Sequence, residues 1–167
     1  MKIKSIPAHP FQYSEPHDHN NIRYINLARV EAEDGTVSWG ERISQFPESS
    51  IAVKMNIELG YRPLLLGEEP REVERLWHMM LARIWWYGPR GVAGFAVSAV
   101  DMALWAIKGK ALCRPVASLI GGWLKEIVSA MASIHFDMED LDRTVKEFQW
   151  FRERGYGMVE AWVAPGW

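Results

Sequence analysis

The sequence predicts an α+β chain in which antiparallel strands come first, helices follow, and a strand–helix–strand unit ends the order. Three observations predict it. Ile22 to Glu33 is rich in β-branched and apolar residues and runs into Asp34-Gly35, a tight-turn pair, after which Val37 to Ile43 alternates. Val92 to Lys108 is dense in alanine and carries almost no charge apart from Asp101, as a helix buried on most sides does. Beyond Gly121-Gly122 the period changes, giving a strand, an amphipathic helix and a second strand with short links.

Taken in order, residues 22–43 read as one hairpin with Val37, Trp39 and Ile43 on a shared face. The stretch from Phe11 to Asn21 is polar and irregular, holds Pro16, His17 and His19, and reads as a mobile loop. Pro70 suits a first helical position, and Val73, Trp77, Met80 and Ile84 then recur at helical spacing. Gly88-Pro89-Arg90-Gly91 breaks the chain before helix 92–108, which Gly109 is placed to stop. A short turn spans Pro115 to Ile120. Ile127 to Ile134 reads as a strand, and Asp140 can cap a helix whose stripe is Leu141, Val145, Phe148 and Phe151, ended by Gly155. Met158 to Val163 is the strand that follows. The expected domains are 1–123 and 124–167. Two strands do not make a stable parallel sheet, so the second domain reads as unfinished.

Composition narrows the function classes. The chain has 167 residues, 49% of them hydrophobic and 24% charged, enough for one globular domain and part of another. A net charge of −2 gives no electrostatic reason to expect nucleic acid or an anionic membrane as partner. The single cysteine, Cys113, excludes an internal disulfide and fits a reducing compartment. No stretch approaches the roughly 18 uninterrupted apolar residues of a spanning helix. The start has no apolar run of signal-peptide length. A cytoplasmic location is the expectation.

Three segments, in series, carry a resemblance. Glu33-Asp34-Gly35-Thr36-Val37-Ser38-Trp39-Gly40-Glu41 resembles a "D-G-x-x-G-W-G-E" hairpin. Ser98-Ala99-Val100-Asp101-Met102-Ala103-Leu104-Trp105, continuing to Lys108-Gly109-Lys110, resembles an "S-A-(I/V)-D-x-A-L-W-D-(I/L)-x-G-K" helix, with Ala106 where the pattern has Asp. Pro115-Val116 through Leu119-Ile120-Gly121-Gly122 resembles "P-(V/L)-x-x-L-L-G-G". Together they resemble the enolase superfamily, in its mandelate racemase and muconate lactonizing enzyme group. The resemblance implies an enolase-like N-terminal cap domain over 1–123, followed by an incomplete (β/α) barrel start over 124–167.

The same resemblance implies a chemistry. Members of the group abstract a proton alpha to a carboxylate, and Mg²⁺, held by three carboxylates on the third to fifth barrel strands, stabilises the enediolate. Such a proton is so weakly acidic that the developing dianion needs a divalent cation and a positioned base. The base commonly lies on the second barrel strand in a "K-x-K" pattern. Here that strand is Gly157 to Val163, with Glu160 in the first lysine position and Trp162 in the second. A carboxylate cannot replace the cationic lysine that draws in an anionic substrate.

The metal-binding strands fall outside this chain. Mg²⁺ is therefore expected in a full-length homologue, with no metal site here. His17 and His19 fall in the cap segment that closes over substrate, Gln45 and Phe46 in the second specificity loop, and His135 at the barrel mouth. The expected substrate is a small carboxylate or acid sugar, and the cap domain offers a route to a homo-oligomer.

Two readings of function stay open: an N-terminal fragment of a Mg²⁺-dependent acid-sugar dehydratase or racemase, inactive alone, and a non-catalytic remnant or interaction module derived from the cap. Plainer readings stand beside the site residues. His17-Asp18-His19 reads as an ordinary polar loop more readily than as a metal cluster, and His135 equally as a surface histidine. Trp85-Trp86-Tyr87 reads as core or domain-interface packing. Glu68-Glu69 and the charges of 71–75 read as a solvated helix start. Asp101, nearly alone in an apolar helix, is expected to be hydrogen-bonded.

Overall fold

A computed structural model of the chain describes residues 1–16, 20–136 and 138–163, with the backbone alone at 135–136 and 162–163. The elements are β1 (Ile3–Ser5), β2 (Ala8–Glu15), β3 (Asn21–Ala32), β4 (Val37–Ile43), α1 (Pro47–Met55), a π-helical segment (Asn56–Tyr61), α2 (Arg62–Leu65), α3 (Val73–Arg83), α4 (Val92–Ala111), α5 (Val116–Leu119), β5 (Met131–Phe136), α6 (Leu141–Glu153) and β6 (Met158–Val163). They form two compact units. The first comprises residues 1–13 and 23–122; the second comprises 14–22 and the chain after Gly122.

In the first unit β3 is the hub of a four-stranded sheet, hydrogen-bonded to β1, β2 and β4. The β3–β4 hairpin is antiparallel from Ile25↔Ile43 to Glu31↔Val37. Its turn closes where Gly35 takes φ +85°, a left-handed conformation glycine adopts without penalty. The Asp34 carboxylate accepts from the Thr36 amide at 3.0 Å, which holds the carboxyl below its ordinary range.

Alternation along β3 buries Asn26, Ala28, Val30 and Ala32. On β4 the buried residues are Ser38 and Gly40, while Trp39 is 47% and Ile43 42% exposed. The expected face Val37-Trp39-Ile43 is thus the outward one. Helix α4 approaches β4 so closely that only small side chains fit: a Cβ on Gly40 would overlap the carbonyl oxygen of Ala99. Ser38 Oγ donates to the Ala103 carbonyl at 2.7 Å. The three residues share a face as expected, and distance of approach, not polarity, selects Ser38 and Gly40 for the inward one.

Residues 47–65, unassigned in the sequence reading, are helical. Their buried positions Val53, Ile57, Tyr61 and Leu65 recur every four residues. In an ideal α-helix that spacing drifts by about 40° per step, so it reads poorly as an amphipathic stripe. The π-helical segment is wound more loosely and keeps the stripe on the core. Helix α3 starts at Val73, three residues after Pro70, which is therefore not its first helical position, and buries Val73, Leu76 and Met80, with Ile84 beyond its end; Trp77 turns outward.

Helix α4 runs on through Gly109 to Ala111. Gly109 does not stop it: a Cβ there would stand 2.9 Å from the Arg114 carbonyl oxygen, so glycine allows the returning chain to pass. The turn is made by Cys113 at φ +49°. By length and composition α4 could cross a membrane, yet its apolar residues lie in the core of this unit. Burial of Tyr61, Leu76, Met80, Leu104 and Ile107 stabilises the unit by about 1.5–3 kcal/mol per large side chain. Trp85 and Trp86 are 74% and 78% exposed, so of the core or domain-interface packing expected for Trp85-Trp86-Tyr87 the core half is overturned. Phe11 to Glu15, expected as loop, belongs to β2.

In the second unit β5 and β6 pair in parallel around α6. The first strand begins at Met131, not Ile127, and Ile127 and Val128 are exposed. Asp140 caps α6 as expected, its carboxylate accepting from the Arg143 amide at 2.9 Å. Of the expected stripe, Leu141 and Val145 are exposed, while Thr144 is buried. Two strands offer too little sheet for the whole apolar face of α6 to cover.

Candidate functional site

The candidate site on the second unit is set by strand register. Ser133 pairs with Glu160, Ile134 with Ala161, and His135 with Trp162. Successive residues of a strand face opposite ways, so Ser133, His135, Glu160 and Trp162 share one face of the ladder. Ala132 and Ile134, on the other face, are buried. The polar face therefore brings the expected positions Glu160, Trp162 and His135 together on two adjacent strands, and it adds Ser133. Glu160 is half-buried. The side chains of His135 and Trp162 lie outside what the structure describes, as do His17 and His19 altogether.

A second candidate region belongs to the first unit. Gln45 and Phe46 are exposed between β4 and α1, where Phe46 holds the extended N-cap backbone of α1 and its carbonyl accepts from the Ser50 amide at 3.1 Å. This segment is anchored from below. Buried Asn26 donates through Nδ2 to Ser44 Oγ at 2.9 Å and to Ser50 Oγ at 3.0 Å, tying both ends of residues 44–50 to β3. Beside it opens a groove of 230 Å³ lined by Phe11, Gln12, Tyr24, Ser50 and Ile51 among others. Phe11 and Tyr24 were missed because they fall in stretches read as loop and as sheet core. A lone Asn26 inside an apolar run was the available signal for the anchor. Gln45 and Phe46 are not brought together with Glu160 within either unit.

Among the described residues no three His, Cys, Asp or Glu side chains converge in a way that could hold a metal ion. The donors present thus do not fit a Mg²⁺ site of three carboxylates, and no chemical step is assigned to a metal on these residues.

Comparison with known proteins places this arrangement. The profile of the mandelate racemase / muconate lactonizing enzyme N-terminal domain matches residues 3–121. D-galactarolactone cycloisomerase of Agrobacterium fabrum is 31% identical over 149 residues, which is 86% of this chain and 38% of that protein. Arabinonate dehydratase of Saccharolobus solfataricus is 29% identical over 157 residues, 93% of this chain and 38% of that protein. A crystal structure of a mandelate racemase/muconate lactonizing protein from Paracoccus denitrificans, complexed with magnesium, superposes with a TM-score of 0.81 at 29% identity, covering 98% of this chain and 43% of that one. The chain thus spans about two fifths of the length of the relatives it matches. Sheet, helices and matched profile agree: this chain belongs to the mandelate racemase / muconate lactonizing enzyme family, as its N-terminal domain with a strand–helix–strand extension.

Proposed function

We propose that this chain is the N-terminal portion of a Mg²⁺-dependent acid-sugar dehydratase, cycloisomerase or racemase, supplying the substrate-selecting cap and the first two barrel strands. The observation that carries the reading is the shared polar face of Ser133, His135, Glu160 and Trp162, on a ladder whose other face buries Ala132 and Ile134. A barrel strand pair is built this way, its inward side chains facing the reaction. The relatives' acid-sugar names support the substrate class, and the magnesium-bound neighbour supports the cofactor of a complete enzyme.

Within that reading Gln45 and Phe46 select substrate from the loop anchored by Asn26, and the loop of His17 and His19 closes over it. Glu160 and Trp162 stand where the family's lysine base stands. A carboxylate there accepts a proton weakly and repels an anionic substrate, so the chain by itself does not abstract the alpha proton. Sequencing the gene beyond the codon for Trp167 tests the reading. An open frame continuing into strands that end in Asp and Glu supports it. A stop codon with nothing family-like downstream overturns it.

That second outcome favours a different reading, a non-catalytic interaction module. One observation supports it: the open groove of 640 Å³ in the second unit, lined by Val145, Phe148, Tyr156, Met158 and Val159 among others, which exposes apolar surface for another protein to cover.

A further inference from the structure

A groove on the first unit, lined by none of the residues of the Gln45–Phe46 region, has the chemistry of a cation site. It lies between α3 and α4, holds 290 Å³, and is lined by Val73, Glu74, Trp77, His78, Asp101 and Trp105. Helical spacing makes it: Val73 with Trp77, Glu74 with His78, and Asp101 with Trp105 are each four residues apart and so stack on one face. Buried Val73 contributes apolar surface. The Trp77 and His78 rings meet edge to face at 4.9 Å, which fixes the indole.

Asp101 is the unusual member. It is half-buried in an apolar helix, and among the described residues its carboxylate has no hydrogen bond or ion pair, contrary to the expectation from sequence. Burial pushes its carboxyl above the ordinary range. Glu74 likewise has no partner among the described residues. The cation standing nearby, Lys108, places Nζ 5.0 Å from the Trp105 ring centroid and is not paired with Asp101. A carboxylate partly withdrawn from water without a counter-ion is costly, and a cation entering the groove removes that cost.

The lining selects among cations. A guanidinium is flat, stacks on indole, and pairs a carboxylate through two parallel hydrogen bonds, whereas an ammonium is a compact, strongly hydrated point charge. Sites for drug-sized ligands run from about 300 to 1,000 Å³, so 290 Å³ is sized for one side chain. Free arginine would bring both an ammonium and a carboxylate to the mouth of the groove, whereas arginine inside a peptide brings neither and engages the two acidic residues through its guanidinium alone. We propose that this groove receives an arginine side chain presented by a peptide segment of a partner protein, with the guanidinium on Asp101 and stacked against Trp77 or Trp105.

The test uses the full chain labelled with 5-fluorotryptophan, its Trp77 and Trp105 resonances assigned from Trp77→Phe and Trp105→Phe. The probe is acetyl-Gly-Arg-Gly-amide, and the control is the same peptide with citrulline, which keeps the shape and removes the charge. The expected result is a saturable shift of those two resonances by the arginine peptide, with binding at least tenfold weaker for citrulline and for Asp101→Asn. Asp101→Asn removes a half-buried charge, so its circular dichroism and melting temperature should match or exceed those of the parent. Equal shifts by the two peptides on the unmutated chain, or no saturable shift, overturn the proposal without recourse to any binding variant. Free arginine binding as tightly as the peptide overturns the assignment to a peptide segment.

Discussion

Gly40 and Ala99 are in backbone contact, for a Cβ added to Gly40 would overlap the Ala99 carbonyl oxygen and stand 2.7 Å from the Ala103 nitrogen. The sheet and α4 are held together through this approach, with Ser38 Oγ bonded to Ala103 and Lys110 Nζ to the Val37 carbonyl on either side of it. Gly40→Ala forces the two elements apart and should lower stability by about 1–3 kcal/mol or more, read as a shift in the urea midpoint. Gly60 is the control, since nothing lies within 4 Å of where its Cβ would be. Gly60→Ala should raise stability by up to about 1 kcal/mol, and equal losses at both positions would refute the close-approach account.

Tyr61 is fully buried and its Oη donates to the Ala93 carbonyl at 3.0 Å. Tyr61→Phe should cost about 0.5–1.5 kcal/mol at neutral pH. Burial, and then the nearby Tyr87 phenol, pushes the Tyr61 hydroxyl above its ordinary value. A group raised on folding contributes stability that is full below its unfolded value and lost as pH rises above it. The difference between parent and Tyr61→Phe should therefore be constant up to about pH 10 and shrink beyond that, in denaturant titrations run at each pH.

Glu69 gives the opposite slope. Its carboxylate accepts from Arg71 Nε at 2.7 Å and Nη2 at 3.1 Å and lies 3.3 Å from the chain's amino terminus. The Arg71 guanidinium is the main cause that pushes Glu69 down to about 2. A lowered carboxyl contributes stability present above its unfolded value of about 4.3 and lost as pH falls towards 2. Glu69→Gln should flatten that acid limb. The pair is partly solvated, so the loss at neutral pH should stay below about 1 kcal/mol.

The β5–β6 ladder has two strands, and much of the apolar surface of α6 is exposed. Amide hydrogen exchange should therefore be much faster at residues 158–163 than at 92–108, whose helix is buried in the larger core. Equal protection of the two segments would show that the second unit is stabilised by more than its own contacts.

Asp140→Ala removes the side-chain cap of α6 and should destabilise that helix by about 1 kcal/mol, seen as faster exchange over residues 141–153 with 92–108 unchanged.

Local chemistry was legible in the residues. The Asp34-Gly35 turn, the Asp140 cap, the alanine-rich α4 and the β6 span Met158–Val163 each follow from short-range signals: a left-handed glycine, a capping oxygen, a low-charge apolar run, an alternating strand. The polar face of β6, with Glu160 and Trp162 in alternation, was likewise readable from period two alone. Tertiary structure decided what depends on a neighbour's distance. Trp39 faces out and Gly40 in because α4 leaves no room for a side chain, a fact no hydropathy pattern contains. Residues 47–65 are helical because a core contact every four residues is sustained by looser winding. Asn26 anchors Ser44 and Ser50, and Asp101 lacks a partner among the described residues, only because of elements distant in sequence, which set both hydrogen bonding and solvent access.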